Sequence, residues 1–329
     1  MIIKLEPGLK AGKLTALRRR LTELLPAAEF ISGKGSITVN NCPPALLGGR
    51  QAAIENLPGI HSTELTLQEA CPLTVHAAPP DLKGIFKKDG DNFILIAGPC
   101  AVEDAASYLA AAKKLKAAGV TALRAALFKP RTSPYAFQGI GAKGFGIIKK
   151  ARRATGLAAV TEATSEGQLR AIRGACDIVQ IGARNMRNYE LLKAAAATRM
   201  PVLLKRAPGA TLKEWLLSAE YVLKHGNGEI ILCERGDSFS KPDRRGPNLA
   251  MLRAAQAATA LPVIADPSHA AGSRALVPAL ALAAVRAGAD GLMIEASLNP
   301  ETALVDGRQT LGMPEFYRLA KQIKKLRAL

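Results

Sequence analysis

Phe93-Ile94-Leu95-Ile96-Ala97-Gly98-Pro99-Cys100 is an apolar run that stops at a glycine and a proline and then delivers a cysteine. Seven more short apolar runs follow the one at 93–97, at 120–123, 157–160, 177–181, 202–204, 230–232, 263–265 and 292–294. Just past them come Arg124 with Lys129, Glu162, Arg184, Lys205, Glu234 with Arg235, Asp266 with His269, and Glu295. Helical patterns at 105–118, 168–173, 212–225 and 273–287 lie between the runs. Strand–helix alternation at this spacing predicts a parallel sheet with right-handed crossovers. Eight repeats close into an α/β (β/α)₈ TIM barrel, a fold that gathers its chemistry at the C-terminal strand ends.

Residues 1–67 read as a separate unit. Strands at 2–5, 29–32, 36–40 and 60–65 and helices at 9–25 and 44–56 give a β-α-β-β-α-β order, the ferredoxin-like α+β arrangement. Leu14, Leu17, Leu21, Leu24 and Leu25 supply the apolar face of the first helix. Such a unit serves either as a platform for binding amino acids or as a packing or oligomerisation module. Residues 68–92 read as a linker, with Pro72, Pro79, Pro80 and a Lys87-Lys88-Asp89-Gly90 turn. The barrel then occupies 93–329.

The 329 residues suit one barrel of roughly 250 residues plus a small domain. Apolar residues make up 48% and aromatics only 4%, which favours packed α/β layers over an aromatic binding surface. No apolar stretch approaches the roughly 18 residues of a membrane span. The opening Met-Ile-Ile-Lys-Leu-Glu-Pro-Gly is too short and polar for a signal peptide, so a cytoplasmic location is expected. Five scattered cysteines without a C-x-x-C pair make no disulfide framework, and Cys176 and Cys233 read as small buried hydrophobes. The net charge of +18 raises nucleic-acid binding. The cations are spread along the chain, however, and no nucleic-acid module is present. Sites for phosphorylated small molecules and a solvated basic surface explain the charge, with neither nucleic acid nor membrane expected as partner.

Two constellations carry chemistry. Cys100, His269, Glu295 and Asp306 follow strands one, seven and eight, which are neighbours in a closed barrel. A thiolate, an imidazole and two carboxylates suit a borderline divalent ion such as Zn, Mn, Fe or Co. Each residue alone has an ordinary explanation; their joint placement does not. The second set is cationic: Arg124, Lys129, Arg131, Arg184, Lys205, Arg206 and Arg235. Arginine forks grip phosphate and carboxylate oxygens, and lysine adds a compact charge. So many cations in one mouth imply substrates bearing phosphate and carboxylate groups. In Lys129-Pro130-Arg131-Thr132-Ser133-Pro134-Tyr135, two prolines hold the loop, which aids positioning. Glu162, Glu234 and Asp266 remain to accept a proton, hold a water or pair with the cations.

Several motifs resemble those of 3-deoxy-D-arabino-heptulosonate 7-phosphate (DAHP) synthases. They are Ile96-Ala97-Gly98-Pro99-Cys100, the Lys129–Tyr135 loop with Phe137-Gln138-Gly139, and Gln180-Ile181-Gly182-Ala183-Arg184-Asn185. Leu203-Leu204-Lys205-Arg206, Cys233-Glu234-Arg235-Gly236, Asp266-Pro267-Ser268-His269 and Asp306-Gly307 continue the match. The likeness spans essentially the whole chain and is nearest the type Iβ branch, which carries an N-terminal ferredoxin-like regulatory domain. It implies condensation of phosphoenolpyruvate with erythrose 4-phosphate to DAHP and phosphate, the first step of the shikimate pathway to aromatic amino acids. It assigns one divalent metal to Cys100, His269, Glu295 and Asp306. It puts phosphoenolpyruvate on Arg124, Lys129, Arg184, Lys205 and Arg235, and the sugar phosphate near Arg131 and Thr132. Lys129 is the expected proton donor, with Glu162, Glu234 and Asp266 as the other catalytic candidates. A homo-oligomer, dimer or tetramer, and feedback by an aromatic amino acid bound near Ile31-Ser32-Gly33-Lys34-Gly35 are further implications.

The chain departs from the family pattern at Ala125-Ala126, at Ala163-Thr164-Ser165, at Ser297 and at Leu249. None of these removes a proposed ligand or clamp. The sister reaction, making 3-deoxy-D-manno-octulosonate 8-phosphate from arabinose 5-phosphate, is the alternative. That family carries Lys-Ala-Asn-Arg where this chain has Lys129-Pro130-Arg131-Thr132. A non-catalytic phosphate-ligand or nucleic-acid binder is the distant one, and retention of every proposed metal ligand argues against it.

Overall fold

In the computed structural model, residues 1–82, 84–86, 92–237 and 246–328 are described; the Lys87-Lys88-Asp89-Gly90 turn lies outside them. The chain divides into two compact units, Met1–His76 and Ala77–Leu329.

The first unit runs β1 (Ile2–Leu5), α1 (Ala11–Leu24), β2 (Glu29–Gly33), β3 (Ser36–Asn40), α2 (Pro44–Glu55) and β4 (Ile60–Glu64). Its sheet is ordered β2-β3-β1-β4 with antiparallel pairs throughout, as the ferredoxin-like order requires. Alternation along the strands turns Ile3, Ile37, Val39 and Ile60 inward. There they meet Leu17, Leu21 and Leu25 of the α1 face and Leu47 and Ile54 of α2. Part of the expected linker is helical: α3 (Leu67–Ala70) and α4 (Pro72–Val75) belong to this unit, and the division falls after His76. Thr66 and Glu69 form a reciprocal capping box that starts α3, and Pro72 starts α4.

The second unit is the barrel. Its strands are β5 (Ile94–Gly98), β6 (Ala122–Arg124), β7 (Ala158–Glu162), β8 (Ile178–Ile181), β9 (Val202–Lys205), β10 (Ile230–Glu234), β11 (Val263–Ala265) and β12 (Gly291–Ser297). All pair in parallel in chain order, and both β5 and β11 pair with β12, which closes the ring. Every one of the eight apolar runs becomes a strand. The helices are α5 (Ala105–Ala117), α6 (Phe145–Thr155), α7 (Glu166–Ile172), α8 (Tyr189–Ala197), α9 (Leu212–Lys224), α10 (Leu249–Ala258), α11 (Pro267–Ala271), α12 (Val277–Arg286) and α13 (Met313–Arg327). A short β13 (Leu311–Gly312) extends alongside β12 before α13. The helix expected from 273 begins as an α-helix only at Val277, after a 3₁₀ turn at Arg274–Leu276.

One residue in two along each strand fills the barrel. Ile96, Ala122, Val160, Ile178, Leu203, Ile231, Cys233, Ile264 and Met293 form this interior, and the residues two positions further on reach the mouth. Trp215 of α9 is fully buried against β9, its indole N–H donating to the Leu204 carbonyl at 3.3 Å. Among the described residues, no helix is long and apolar enough to cross a membrane.

Candidate active site

The interior stripe of each strand leads to one group at the mouth. Ile96 leads to Gly98 and Cys100, Ala122 to Arg124, Val160 to Glu162, and Leu203 to Lys205. Cys233 leads to Arg235, Ile264 to Asp266, and Met293 to Glu295. These side chains bound or adjoin a cavity of about 730 Å³, whose lining includes Arg124, Lys129, Arg131, Thr132, Glu162, Arg184, Lys205, Arg235, His269 and Asp306.

At one end of the mouth, ligand atoms of Cys100, His269, Glu295 and Asp306 all lie within 4.8 Å of one another. The Cys100 thiol donates to Asp306 Oδ2 at 3.0 Å. His269 Nε2 is 3.4 Å from Glu295 Oε1 and 3.9 Å from Asp306 Oδ2. Two observations show that this set fits a cation. Glu295 Oε1 is fully buried and accepts no well-aligned hydrogen bond, although Arg124 Nη2 stands 3.1 Å away. His269 turns Nε2 toward the two carboxylates while Nδ1 lies 2.8 Å from Asp266 Oδ2, a close contact without hydrogen-bond alignment. Burial pushes the Cys100 thiol well above its usual range, and Glu295 adds to the effect. Burial also acts to raise Asp306, but His269, the Cys100 thiol and the nearby cations outweigh it and hold that carboxyl low.

Asp266 links this cluster to the cationic wall. Fully buried, it receives Lys205 Nζ on Oδ2 and caps α11 by accepting the His269 N–H on Oδ1 at 3.0 Å. Its pKa falls well below the usual carboxylate range: desolvation opposes this, but His269, Lys205 and Arg124 prevail. Lys129 donates to Cys100 Sγ at 3.2 Å. Burial acts to lower its pKa, yet Cys100 and Glu162 hold it above the usual lysine range. Arg124 engages Glu295 and Cys100 through Nη2, whereas its buried Nε and Nη1 have no hydrogen-bond acceptor among the described residues. Unpaired guanidinium nitrogens on a cavity wall are costly and suit an anionic ligand.

The loop from Lys129 forms part of the cavity wall. Lys129 N donates to the Gln138 carbonyl at 2.9 Å, and the Gln138 amide reaches the carbonyls of Ser133, Pro134 and Ala136. Arg184 donates to the Pro130 carbonyl at 3.0 Å, joining this loop to the one after β8. Glu162 sits so close to Gly182 that a Cβ there would fall 2.0 Å from its Oε1. Only glycine leaves that carboxylate its place.

Two expected mouth residues are elsewhere. Glu234 and Arg206 are absent from the cavity lining and pair with each other, Arg206 Nη2 to Glu234 Oε1 at 2.7 Å. Glu234 also accepts the Gly236 and Asn248 N–H groups, while Arg206 binds Asp237 and the Ala207 and Ala210 carbonyls. The reason is strand phase: each is one position off the residue of its strand that faces the mouth, Arg235 or Lys205. Gln180, Pro208 and Gln309 line the cavity without having been singled out. Gln309 Nε2 donates to Glu295 Oε2 at 2.8 Å, and its place three residues after Asp306 was the available signal.

Fold and mouth together define a (β/α)₈ barrel enzyme with a thiol–imidazole–carboxylate cluster beside an anion-ready cavity. Residues 65–329 match the model of the DAHP synthetase I family, to which the chain belongs. A phospho-2-dehydro-3-deoxyheptonate aldolase of Thermotoga maritima is 44% identical over 244 residues, 74% of this chain and 72% of that protein. A 2-dehydro-3-deoxyphosphooctonate aldolase of Acidithiobacillus ferrooxidans is 33% identical over 239 residues, 65% of this chain and 82% of that one. The crystal structure of the Thermotoga maritima phospho-2-dehydro-3-deoxyheptonate aldolase (DAHP synthase) superposes with a TM-score of 0.83 at 34% identity, covering 99% of this chain and 96% of that chain.

Proposed function

We propose that the protein condenses phosphoenolpyruvate with erythrose 4-phosphate to give DAHP and phosphate, and that it needs a divalent metal to do so. The observation that carries this reading is that His269 and Asp306 of the four-residue cluster line the same cavity as the cationic wall. Arg124, Lys129, Lys205 and Arg235, with Arg184 beside them, are the groups for the phosphate and carboxylate of phosphoenolpyruvate. Arg131 and Thr132, on the loop that lines the cavity, are those for the sugar phosphate.

Cys100, His269, Glu295 and Asp306 would hold a divalent ion, which would supply Lewis-acid polarisation for the aldehyde. The chain's own residues do the rest. The cationic wall brings two anions together and fixes carbon 3 of phosphoenolpyruvate against the aldehyde carbon. As that bond forms, protonated Lys129 gives a proton to the developing alkoxide. Glu162 takes one proton from the water that adds at carbon 2; the carbon–oxygen bond to phosphate then breaks, the remaining hydroxyl proton leaves with the phosphate as hydrogen phosphate, and the new ketone is left. Asp266 holds His269 and Lys205 in place throughout.

The alternative aldose is arabinose 5-phosphate, the substrate class of the octulosonate relatives. Lys129-Pro130-Arg131-Thr132 and the higher identity to the heptonate aldolase support the four-carbon sugar. Phosphate release measured with each aldose phosphate, before and after chelation, tests the proposal. Turnover with erythrose 4-phosphate that chelator abolishes and metal restores is expected; preference for arabinose 5-phosphate, or indifference to chelator, would overturn it. We further read residues 1–67 as a regulatory domain taking an aromatic amino acid near Ile31, which is 55% exposed on the edge strand β2. Phenylalanine or tyrosine added to the same assay is expected to inhibit.

A further inference from the structure

Within the metal cluster, Glu295 lies on β12, Cys100 directly follows β5 and His269 sits on α11, whereas Asp306 is carried by a long loop after β12. Asp306 lies in the loop between β12 and β13, and its φ of +57° puts it in the left-handed region, which residues other than glycine seldom adopt. Something must hold it there. Its own loop contributes Gln309 N–H to the Asp306 carbonyl at 3.1 Å and the Thr310 hydroxyl to the same oxygen at 3.0 Å. These bonds shape the turn but do not fix it to the barrel.

The tie to the barrel comes from Arg274, just after α11. Its backbone N–H donates to the Arg308 carbonyl at 2.8 Å, and its Nη2 donates to the Gly307 carbonyl at 2.9 Å. Its Nη1 pairs with Glu301 at the other end of the same loop. Arg274 thus grips the loop at three points, two of them on the residues that follow Asp306. Gly307 is itself packed so tightly that a Cβ would lie 2.4 Å from the Pro300 carbonyl, so the loop has no slack there. The same loop brings Gln309 onto Glu295, so its position bears on two of the four cluster members. Among the described residues, Arg274 makes no hydrogen bond or ion pair with any of the four side chains.

We propose that Arg274 is a positioning residue for the metal centre: by clamping the Gly307 and Arg308 carbonyls it holds Asp306 in its left-handed turn and completes the coordinating set. The inference rests on the metal reading of the cluster. Supporting groups of this kind typically change metal affinity by about ten- to a hundred-fold.

A double-mutant cycle on the full-length protein tests it, with Mn²⁺ and Zn²⁺ affinities read by competition with a chromophoric chelator. Arg274→Met is expected to weaken binding about ten-fold or more, Arg274→Lys to recover part of the loss, and Asp306→Asn to weaken it further. The decisive result is the double variant: if Arg274 acts through Asp306, it binds no more weakly than Asp306→Asn alone. Thermal unfolding of the metal-free variants shows whether each is folded. Should Arg274→Met fail to fold, Gly307→Ala, which disturbs the same clamp from the loop side, takes its place in the cycle. Losses that add in the double variant, or an Arg274→Met protein that binds as tightly as wild type, would overturn the clamp alone. Wild-type protein that binds neither ion would overturn the metal reading and the clamp with it.

Discussion

Glu162 shares its face of β7 with Val160 of the barrel interior, and its carboxylate lines the cavity. Glu234 shares its face of β10 with Ile230 and Leu232, which lie outside that interior cluster, and its carboxylate is spent on Arg206 and two backbone N–H groups. The two glutamates should therefore fail differently when neutralised. Glu162→Gln is expected to keep its unfolding midpoint and lose roughly 10²-fold in kcat. Glu234→Gln strips a buried arginine of its main partner and is expected to cost about 3 kcal/mol in denaturant unfolding, with any kinetic loss following from that. An unchanged stability in Glu234→Gln would contradict the buried pairing. This contrast also marks what could be read from residues in a row. Cys100, Arg124, Lys205, Asp266 and Glu295 were legible because each follows an apolar strand run. Glu234 and Arg206 looked equivalent until the period of two was counted from the interior residues. Gln309 carried only its nearness to Asp306 as a signal, and Arg274 was invisible in the sequence, since what it holds is set by how two loops meet in space.

The strands were legible as elements because buried parallel strands are continuous apolar runs. Helix starts were equally plain where a cap announces them, as with Thr211 and Glu214 in the capping box of α9. α3 and α4 escaped notice because four residues carry too little periodicity to separate a helix from a linker. The loop from Lys129 to Gln138 shows how an element without regular structure is made firm. Its prolines restrict the backbone, and one amide side chain bridges three of its carbonyls. Gln138→Ala removes the bridge while leaving every cation in place. It is expected to raise KM for the aldose phosphate several-fold with little change in KM for phosphoenolpyruvate; an equal rise in both would argue against a loop that serves the sugar phosphate.

For the molecule as a whole, the charge of +18 is not concentrated where the chemistry is. The mouth sets Glu162, Asp266, Glu295 and Asp306 among its cations. Lys113, Lys114 and Lys116 on α5, Lys149, Lys150 and Arg153 on α6, and Lys321, Lys324 and Lys325 on α13 stand exposed on the outer wall. Cations in the last turns of these helices complement their dipoles, an ordinary stabilising use of charge. Among all 329 residues there is a single tryptophan, and it is Trp215, bonded to the carbonyl immediately before Lys205. The protein therefore carries one built-in lamp, sealed from water and wired to the back of the anion wall. Its emission is expected to be blue-shifted and to change saturably as phosphoenolpyruvate is added, a signal that Trp215→Phe abolishes. A spectrum that stays flat through saturation would contradict a ligand site at Lys205 that is coupled to β9. Given the expected change, binding at the mouth is followed by light alone, in metal-free and inactive variants where turnover reports nothing.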